Sequence, residues 1–151
     1  MSDIRIIIEG YIERIASLLH EHLNLIEAIE HNTSLIESIQ GPIPKSYLDS
    51  LSESIKGLSE LRNAFIGDLS SLVSIIASQA EVRGLDDQLG DIYALAGYYI
   101  TAGSEREIRA LRRASRYLRE AESEILNAEE ATRKAENALR NIEKLRAKLE
   151  G

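Results

Sequence analysis

Apolar residues recur every three or four positions through most of this chain, and that spacing places them along one side of an α-helix. Over residues 6–39, one heptad frame puts mostly apolar side chains at its first and fourth positions, and Ile12, Leu19 and Ile26 widen the stripe. Residues 48–76 repeat the pattern. A stripe of this width is typical of a helix that contacts several neighbours in a bundle, since a two-stranded coiled coil needs only a narrow seam.

Three short segments divide the pattern. QGPIPKS, residues 40–46, contains one Gly and two Pro, which end helices, and RGLDDQ, residues 83–88, contains a second Gly. In TAGSERE, residues 101–107, Ser104 and Glu107 have the spacing of a capping box. The predicted helices cover residues 3–40, 45–83, 86–102 and 104–150. The sequence therefore predicts an all-α fold: an elongated antiparallel helical bundle of three long helices and one short one, with coiled-coil-like heptad packing.

The last predicted helix has a distinctive packing row with small side chains at four successive heptad positions. The row consists of Ala114, Ala121, Ala128, Ala135, Ile142 and Leu149. Small side chains let a second helix approach closely, and this helix would be roughly 70 Å long at about 1.5 Å per residue. We therefore expect residues 130–151 to overhang a single bundle domain, residues 1–151, and to contact a second copy of the chain. The alternative is that the row packs within its own chain.

Charge is distributed unevenly along the chain. The formal net charge is −7, which argues against a general nucleic-acid binder. Residues 1–103 hold 6 basic and 15 acidic side chains, whereas residues 104–151 hold 12 basic and 10 acidic ones. The absence of Cys excludes disulfides and thiolate metal sites. With a single Met and abundant Ile, the composition is compatible with a thermophilic source.

A cluster of six arginines is the main candidate binding feature. It consists of Arg106, Arg109, Arg112, Arg113, Arg116 and Arg119. One interpretation is a solvated face that pairs with the acidic first two helices or with a neighbouring subunit. The other is a site for an anionic partner, either a phosphate backbone or an acidic protein surface. Tyr117 is the one aromatic residue among the arginines, so stacking on bases has little support.

The histidines give little support for metal or catalytic chemistry. His20 and His22 are two residues apart and point to different sides of a helix, so they cannot share a metal ion. Arg14 and His20 have a spacing that resembles that of HEPN-type ribonucleases, but the surrounding helix is acidic and would repel RNA. His22 occupies a core position among isoleucines, where we expect a polar neighbour to satisfy it and fix the register of the helices. The alternative is a pH-sensitive layer, since a buried histidine resists protonation.

Leu89, Gly90 and Tyr93 resemble the first helix of a tetratricopeptide repeat. Ala114, Leu118 and Ala121 resemble its second helix, so the resemblance covers one helical hairpin, although the segment between the two helices is too long for the family. It implies only that Gly90, Ala94 and Gly97 form a small-residue face for tight packing. No second copy of the pattern occurs in the sequence, so the resemblance does not extend to an array of repeats.

These patterns predict a non-enzymatic bundle that acts in self-assembly or as a protein-interaction scaffold. The alternative is a protein that associates with nucleic acid or another polyanion through the arginines of residues 106–119. We expect no cofactor and no metal. We also expect no membrane partner, because no apolar run approaches 18 residues, and the start MSDIRIII lacks a signal-peptide pattern. A cytoplasmic or viral-particle location follows as an expectation. Steep loss of affinity between 50 and 200 mM salt would distinguish a phosphate binder from an apolar self-association.

Overall fold

A computed structural model describes residues 2–78 and 84–150, with side-chain surroundings for residues 4–78 and 84–148. The elements are α1 (Ser2–Glu37), α2 (Lys45–Ala77), α3 (Asp86–Tyr98), a π-helical turn (Tyr99–Gly103), α4 (Ser104–Ala114) and α5 (Arg119–Glu150). α3, the π-helical turn and α4 follow one another without interruption and are called the α3–α4 rod. The described chain therefore consists of four helical segments and contains no β-strand, and the predicted all-α class is confirmed.

The contacts between helices define an antiparallel bundle. Early residues of α1 contact late residues of α2, and late residues of α1 contact early residues of α2, so these helices run in opposite directions. Contacts of α1 with the α3–α4 rod join residues whose numbers differ by a nearly constant amount, so these run in the same direction. Examples are Arg14–Asp68 and Asn32–Ser54 for the first pair, and Glu9–Gln88 and Glu37–Arg113 for the second. α2 and the rod each lie beside both α1 and α5, so α1 lies diagonally opposite α5.

The apolar stripe of α1 is buried, but its centre is displaced from the predicted one. The first heptad row, including Ile8, Ile15 and Ile29, is fully buried as predicted. In the widening row Leu19 and Ile26 are buried and Ile12 is half-buried, whereas all the fourth-position residues of the frame are only half-buried. α1 packs against two neighbours, α2 and the rod. Its buried face is therefore centred between the row of side chains that faces α2 and the row that faces the rod.

The third predicted break, TAGSERE, does not end a helix. The backbone N–H of Ser104 donates to the carbonyl of Tyr99 five residues earlier, and Gly103 keeps helical backbone angles. A π-helical turn inserts one extra residue, which rotates the following helix face by about 100°. Leu89 and Ala96 of α3 are buried and lie seven residues apart, and an uninterrupted heptad would continue this row at residue 110. In α4 the row continues instead at Leu111, one residue later, because of the extra residue in the π-helical turn.

The predicted capping box does not form. The Ser104 hydroxyl lies 2.5 Å from that of Thr132, and the Glu107 carboxylate is buried in the bundle. The helix also does not turn back at this point, so α3 and α4 do not form the hairpin of a tetratricopeptide repeat. A methyl group added at Gly90 or Gly97 would meet no atom within 4 Å, so these residues do not provide tight packing.

The chain turns back at residues 115–118, SRYL, which contain neither Gly nor Pro. The Ser115 hydroxyl donates to the carbonyl of Arg112 at 2.6 Å, a local bond that competes with continuation of a helix. The predicted last helix is therefore two helices. With 32 residues, α5 is shorter than α1, which has 36, and the predicted reason for an overhang is lost. Through Leu145 the end of α5 packs in the bundle instead of overhanging it.

The apolar core has two parts. The lower core lies at the end of the bundle where α1 begins and includes Ile8, Ile15, Phe65, Leu69, Leu89, Ile92, Tyr99, Ala135 and Ile142. The upper core lies at the other end and includes Ile26, Ile29, Leu51, Ile55, Leu58, Leu111, Ala114, Ala121 and Ala128. On α1, α2 and the rod a polar residue separates the two groups, and these polar residues meet polar residues of α5 at mid-height. None of the helices in the described part of the chain combines the length and apolar character needed to cross a membrane.

Candidate functional site

A layer of polar side chains crosses the bundle between the two cores, and each helical segment contributes to it. The polar layer consists of His22 from α1, Arg62 from α2, Tyr99, Ser104 and Glu107 from the α3–α4 rod, and Glu124 and Thr132 from α5. Arg62 is 1% exposed, Glu107 0% and His22 2%, so the centre of the layer has no contact with solvent.

Arg62 holds two carboxylates from two different helices. Its Nε donates to Glu107 Oε2 at 2.8 Å, and its Nη1 donates to Glu124 Oε2 at 2.6 Å. The bond to Glu107 spans the diagonal of the bundle, from α2 to the rod. The side chain of Glu124 is 16% exposed, so the layer reaches the surface at α5. These bonds set the relative heights of α2, the rod and α5.

The second oxygen of Glu107 faces α1. His22 Nε2 lies 3.2 Å from Glu107 Oε1, although the angles are not those of a hydrogen bond. The Tyr99 hydroxyl donates to the same oxygen over a longer distance, 3.4 Å. The Tyr99 ring lies between His22 and Phe65, with ring centroids 5.5 and 4.7 Å away. Glu107 is thus the one carboxylate in the described part of the chain around which α1, α2 and the rod converge.

Burial and charge act in opposite directions on the guanidinium of this layer. Burial by itself would lower the pKa of Arg62, but the attraction of Glu107 and the hydrogen bonds to Glu124 and Glu107 outweigh it and raise the pKa. Burial raises the pKa of Tyr99 far above its usual range, and the nearby negative charge of Glu107 raises it further. Arg62 is therefore cationic and Tyr99 neutral across the physiological range.

A second pair of polar groups completes the layer on the α5 side. Thr132 donates its hydroxyl hydrogen to the carbonyl of Ala128 at 2.9 Å. A hydroxyl has one hydrogen to donate, so Ser104 is the donor in its 2.5 Å bond with Thr132. Because the interior of the layer is closed to solvent, its effect is on packing: it selects one vertical alignment of the four helical segments.

The sequence predicted one member of this layer and missed the others. His22 lies among the core residues, beside a polar neighbour, and this is where its heptad position placed it. Arg62 interrupts the apolar stripe of α2 between Leu58 and Phe65, and Glu107 lies seven residues before Ala114 in the packing row. At both Arg62 and Glu107 a charged residue occupies a heptad position that is otherwise apolar, and this pattern indicates a buried ion pair. The spacing of Ser104 and Glu107 also fits a capping box, and this local interpretation of Glu107 concealed its place in the core.

The six arginines divide into a paired and an unpaired group. Arg106 donates two hydrogen bonds to Glu30, at 2.6 and 3.0 Å, and Arg113 donates to Glu37 at 2.6 Å, which joins α4 to α1. The hydrogen bond to Glu30 raises the pKa of Arg106, and the one to Glu37 raises that of Arg113. Arg109 forms a local pair with Glu105. The interpretation as a face that pairs with the acidic first helix therefore applies to some of the arginines.

The remaining three are Arg112, Arg116 and Arg119, called here the corner arginines because they surround the turn between α4 and α5. All three are exposed, and no carboxylate of the described residues forms an ion pair with them. They form a local concentration of positive charge on a chain with a net charge of −7.

The small-residue row of the last predicted helix lies inside the bundle. Ala114, Ala121, Ala128, Ala135 and Ile142 are each 0% exposed within a single chain. The side chain of Leu149 lies outside the described residues. The close approach that the alanines permit is therefore used by α2, α1 and the rod of the same chain. Self-association through this row would require α5 to leave the bundle.

A surface groove of about 560 Å³ lies between α1 and α2. It is lined by Glu21, Asn24, Leu25, Gly57, Glu60, Leu61 and Ala64. A side chain at Gly57 would approach Leu25 to 3.2 Å, so glycine keeps the groove open at this point. Leu25 and Leu61 are half-buried and supply an apolar floor, while Glu21 and Glu60 are exposed at the rim. Neither carboxylate forms an ion pair within the described part of the chain, and this feature is called the acidic groove.

The other candidate residues do not assemble into a site. Arg14 binds Asp68 at 2.7 Å and lies against the ring of Tyr11, while His20 is exposed. Within residues 2–78 and 84–150, no group of three metal-binding side chains lies close enough together to hold an ion. Comparison of the chain with protein families, with curated proteins and with solved structures finds no match.

Proposed function

We propose that this protein is a non-enzymatic scaffold that acts by associating with other polypeptides, first of all with copies of itself. One observation carries the proposal. The surface of the bundle presents unpaired charge of both signs, with two carboxylates at the rim of the acidic groove on the α1–α2 side and the three corner arginines at the turn between α4 and α5. Exposed charges that find no partner within the chain are available to one outside it.

The interior of the bundle supports the same function. A binding surface that spans two helices needs those helices at a constant relative height. The polar layer supplies this, because Glu107 of the rod binds Arg62 of α2 and also lies beside His22 of α1, so both helices are aligned on the same carboxylate. The groove between α1 and α2 is thereby presented in one shape, which reduces the entropy that a partner must overcome on binding.

An alternative function is association with nucleic acid or another polyanion, and one specific observation favours it. The corner arginines lack carboxylate partners in the described part of the chain, and Arg side chains are suited to phosphate oxygens. Against it stands the net charge of −7. A location in the cytoplasm or in a viral particle is compatible with either function.

Light scattering across a dilution series at about 0.15 M salt tests the first proposal. A scaffold that self-associates should show a dimer or a larger species whose mass rises with concentration. A monomer at every concentration would overturn self-association. Titration of a labelled DNA duplex between 50 and 200 mM salt tests the alternative, since a phosphate binder loses affinity steeply over this range.

A further inference from the structure

We propose that the acidic groove of one copy receives the corner arginines of a second copy, so that molecules join head to tail. This inference rests on the proposed function and names the two surfaces that would carry it. It requires that the groove suits an arginine, that the corner arginines are free to enter it, and that one chain cannot satisfy both surfaces by itself.

The groove has the chemistry of an arginine site. An Arg side chain combines a long apolar stem with a planar cationic head, and the two parts prefer different surroundings. Leu25 and Leu61 provide an apolar floor for the stem, and Glu21 and Glu60 provide carboxylates at the rim for the head. Asn24 adds an amide oxygen that accepts a further hydrogen bond. Of the described residues that line the groove, none is cationic, so nothing within it competes with an incoming guanidinium.

The corner is the part of the arginine cluster that remains available. Glu30 and Glu37 neutralise Arg106 and Arg113, and Glu105 pairs with Arg109. Arg112 lies in the last turn of α4, Arg116 in the turn that follows and Arg119 at the start of α5, and all three are exposed. Several cations in one patch match a groove that presents two carboxylates, whereas a single exposed pair would contribute little.

The arrangement of the helices prevents the two surfaces from meeting in one molecule. The groove opens on the side of the bundle formed by α1 and α2. The corner belongs to the rod and α5, which form the opposite side. A contact between two copies therefore leaves a free groove on one molecule and a free corner on the other. Such a heterologous contact repeats and produces a chain or a ring instead of a closed two-fold dimer.

Charge reversal on each surface tests this interface. The groove variant is Glu21→Arg/Glu60→Arg, and the corner variant is R112E/R116E/R119E. A matched control for the first is Glu13→Arg/Glu53→Arg, which makes the same charge change at exposed carboxylates outside the groove. A matched control for the second is R140E/K144E/K148E, which reverses three exposed cations of α5 away from the corner. Circular dichroism and a thermal melt verify that each variant is folded.

Analytical ultracentrifugation at about 0.1 M salt gives the expected results. Each variant alone should associate at least tenfold more weakly than the wild type, and the controls should associate like it. An equimolar mixture of the groove and corner variants should restore assembly, since the intact corner of one variant meets the intact groove of the other, and the reversed groove and reversed corner are again opposite in charge. A single chain with all five substitutions has its charges exchanged and should assemble again.

The other outcomes overturn the inference in distinguishable ways. If the wild type assembles and both variants assemble equally well, the interface lies elsewhere, while the proposed scaffold function stands. If the wild type is a monomer throughout, both the interface and self-association fall. If it assembles only when nucleic acid is present, measured by the 260 to 280 nm absorbance ratio, the corner serves a polyanion and the groove assignment is wrong.

Discussion

Arg62 and Arg112 carry the same guanidinium in opposite surroundings. Arg62 is 1% exposed and is held by two carboxylates, Glu107 and Glu124, at 2.8 and 2.6 Å. Arg112 is exposed and has no ion-pair partner in the described part of the chain. A buried cation without a partner would be very unfavourable, so the polar layer must be complete before the bundle is stable. An exposed cation is hydrated by water, so it needs no partner within the chain and can bind a carboxylate or phosphate of another molecule.

Buried charges such as that of Arg62 stabilise the fold only in pairs, whereas exposed charges such as that of Arg112 affect binding more than stability. Removing one partner from the polar layer leaves the other charge buried and unpaired, whereas removing a surface partner returns the other charge to water.

Replacing Glu107 with Ala should lower the free energy of unfolding by about 3–5 kcal/mol, because Arg62 and Tyr99 lose their shared buried partner. Urea unfolding followed by circular dichroism measures it. The matched control is Glu105→Ala on the same helix, where an exposed pair with Arg109 contributes about 0–1 kcal/mol. Equal effects of the two substitutions would contradict the distinction between the layer and the surface.

Replacing Ala121 with Leu should destabilise the folded chain by roughly 1–3 kcal/mol, because the added atoms have no space in a fully packed position. The same change at Ala94, which is exposed on α3, should leave stability within about 0.5 kcal/mol of the wild type. Denaturant midpoints for both variants check this. If Ala121→Leu changed oligomer mass but not stability, the alanine row would be a surface between molecules after all.

Stability should fall as the pH rises above about 10. Burial and Glu107 raise the pKa of Tyr99 in the folded state, so the unfolded chain loses the phenol proton first. Alkaline conditions then favour unfolding by about 1.4 kcal/mol per pH unit until the folded tyrosine also ionises. Urea midpoints at pH 9, 10 and 11 should show a smaller decline for Tyr99→Phe than for Tyr93→Phe, whose ring is exposed. The same slope in both variants would rule out Tyr99 as the cause.

The smallest effect is expected at the surface of α4. Replacing Arg109 with Ala removes an exposed local pair with Glu105 and should change the free energy of unfolding by about 0.5 kcal/mol or less. Arg106→Ala is the informative comparison, because Arg106 binds Glu30 on another helix with two hydrogen bonds. We expect a larger loss for Arg106, still below that for Glu107, in the same urea experiment. A larger loss for Arg109 would mean that local pairs outweigh those between helices.

The amino-acid sequence alone was enough to predict α1 and α2 and most of the residues that they bury. Apolar spacing is a local property, and it placed Ile8, Ile15, His22 and Ile29 in the interior, although the buried face of α1 is centred beside the predicted one. It also contained Arg62 and Glu107 as charges at core positions. It could not show that they belong together, because they are 45 residues apart and nothing in a local pattern says which helix covers which face.

The connections between the later helices and the partners of the buried charges depend on tertiary contacts. The capping-box spacing of Ser104 and Glu107 favours a helix start, yet the rod continues through a π-helical turn, and Glu107 binds Arg62 instead. The turn at residues 115–118 lacks Gly and Pro, and the alanine row that was predicted to contact a second copy is covered by the same chain. Spacing specifies the direction in which a side chain points from its helix. What lies in that direction depends on contacts between distant segments, which form only when the whole bundle packs.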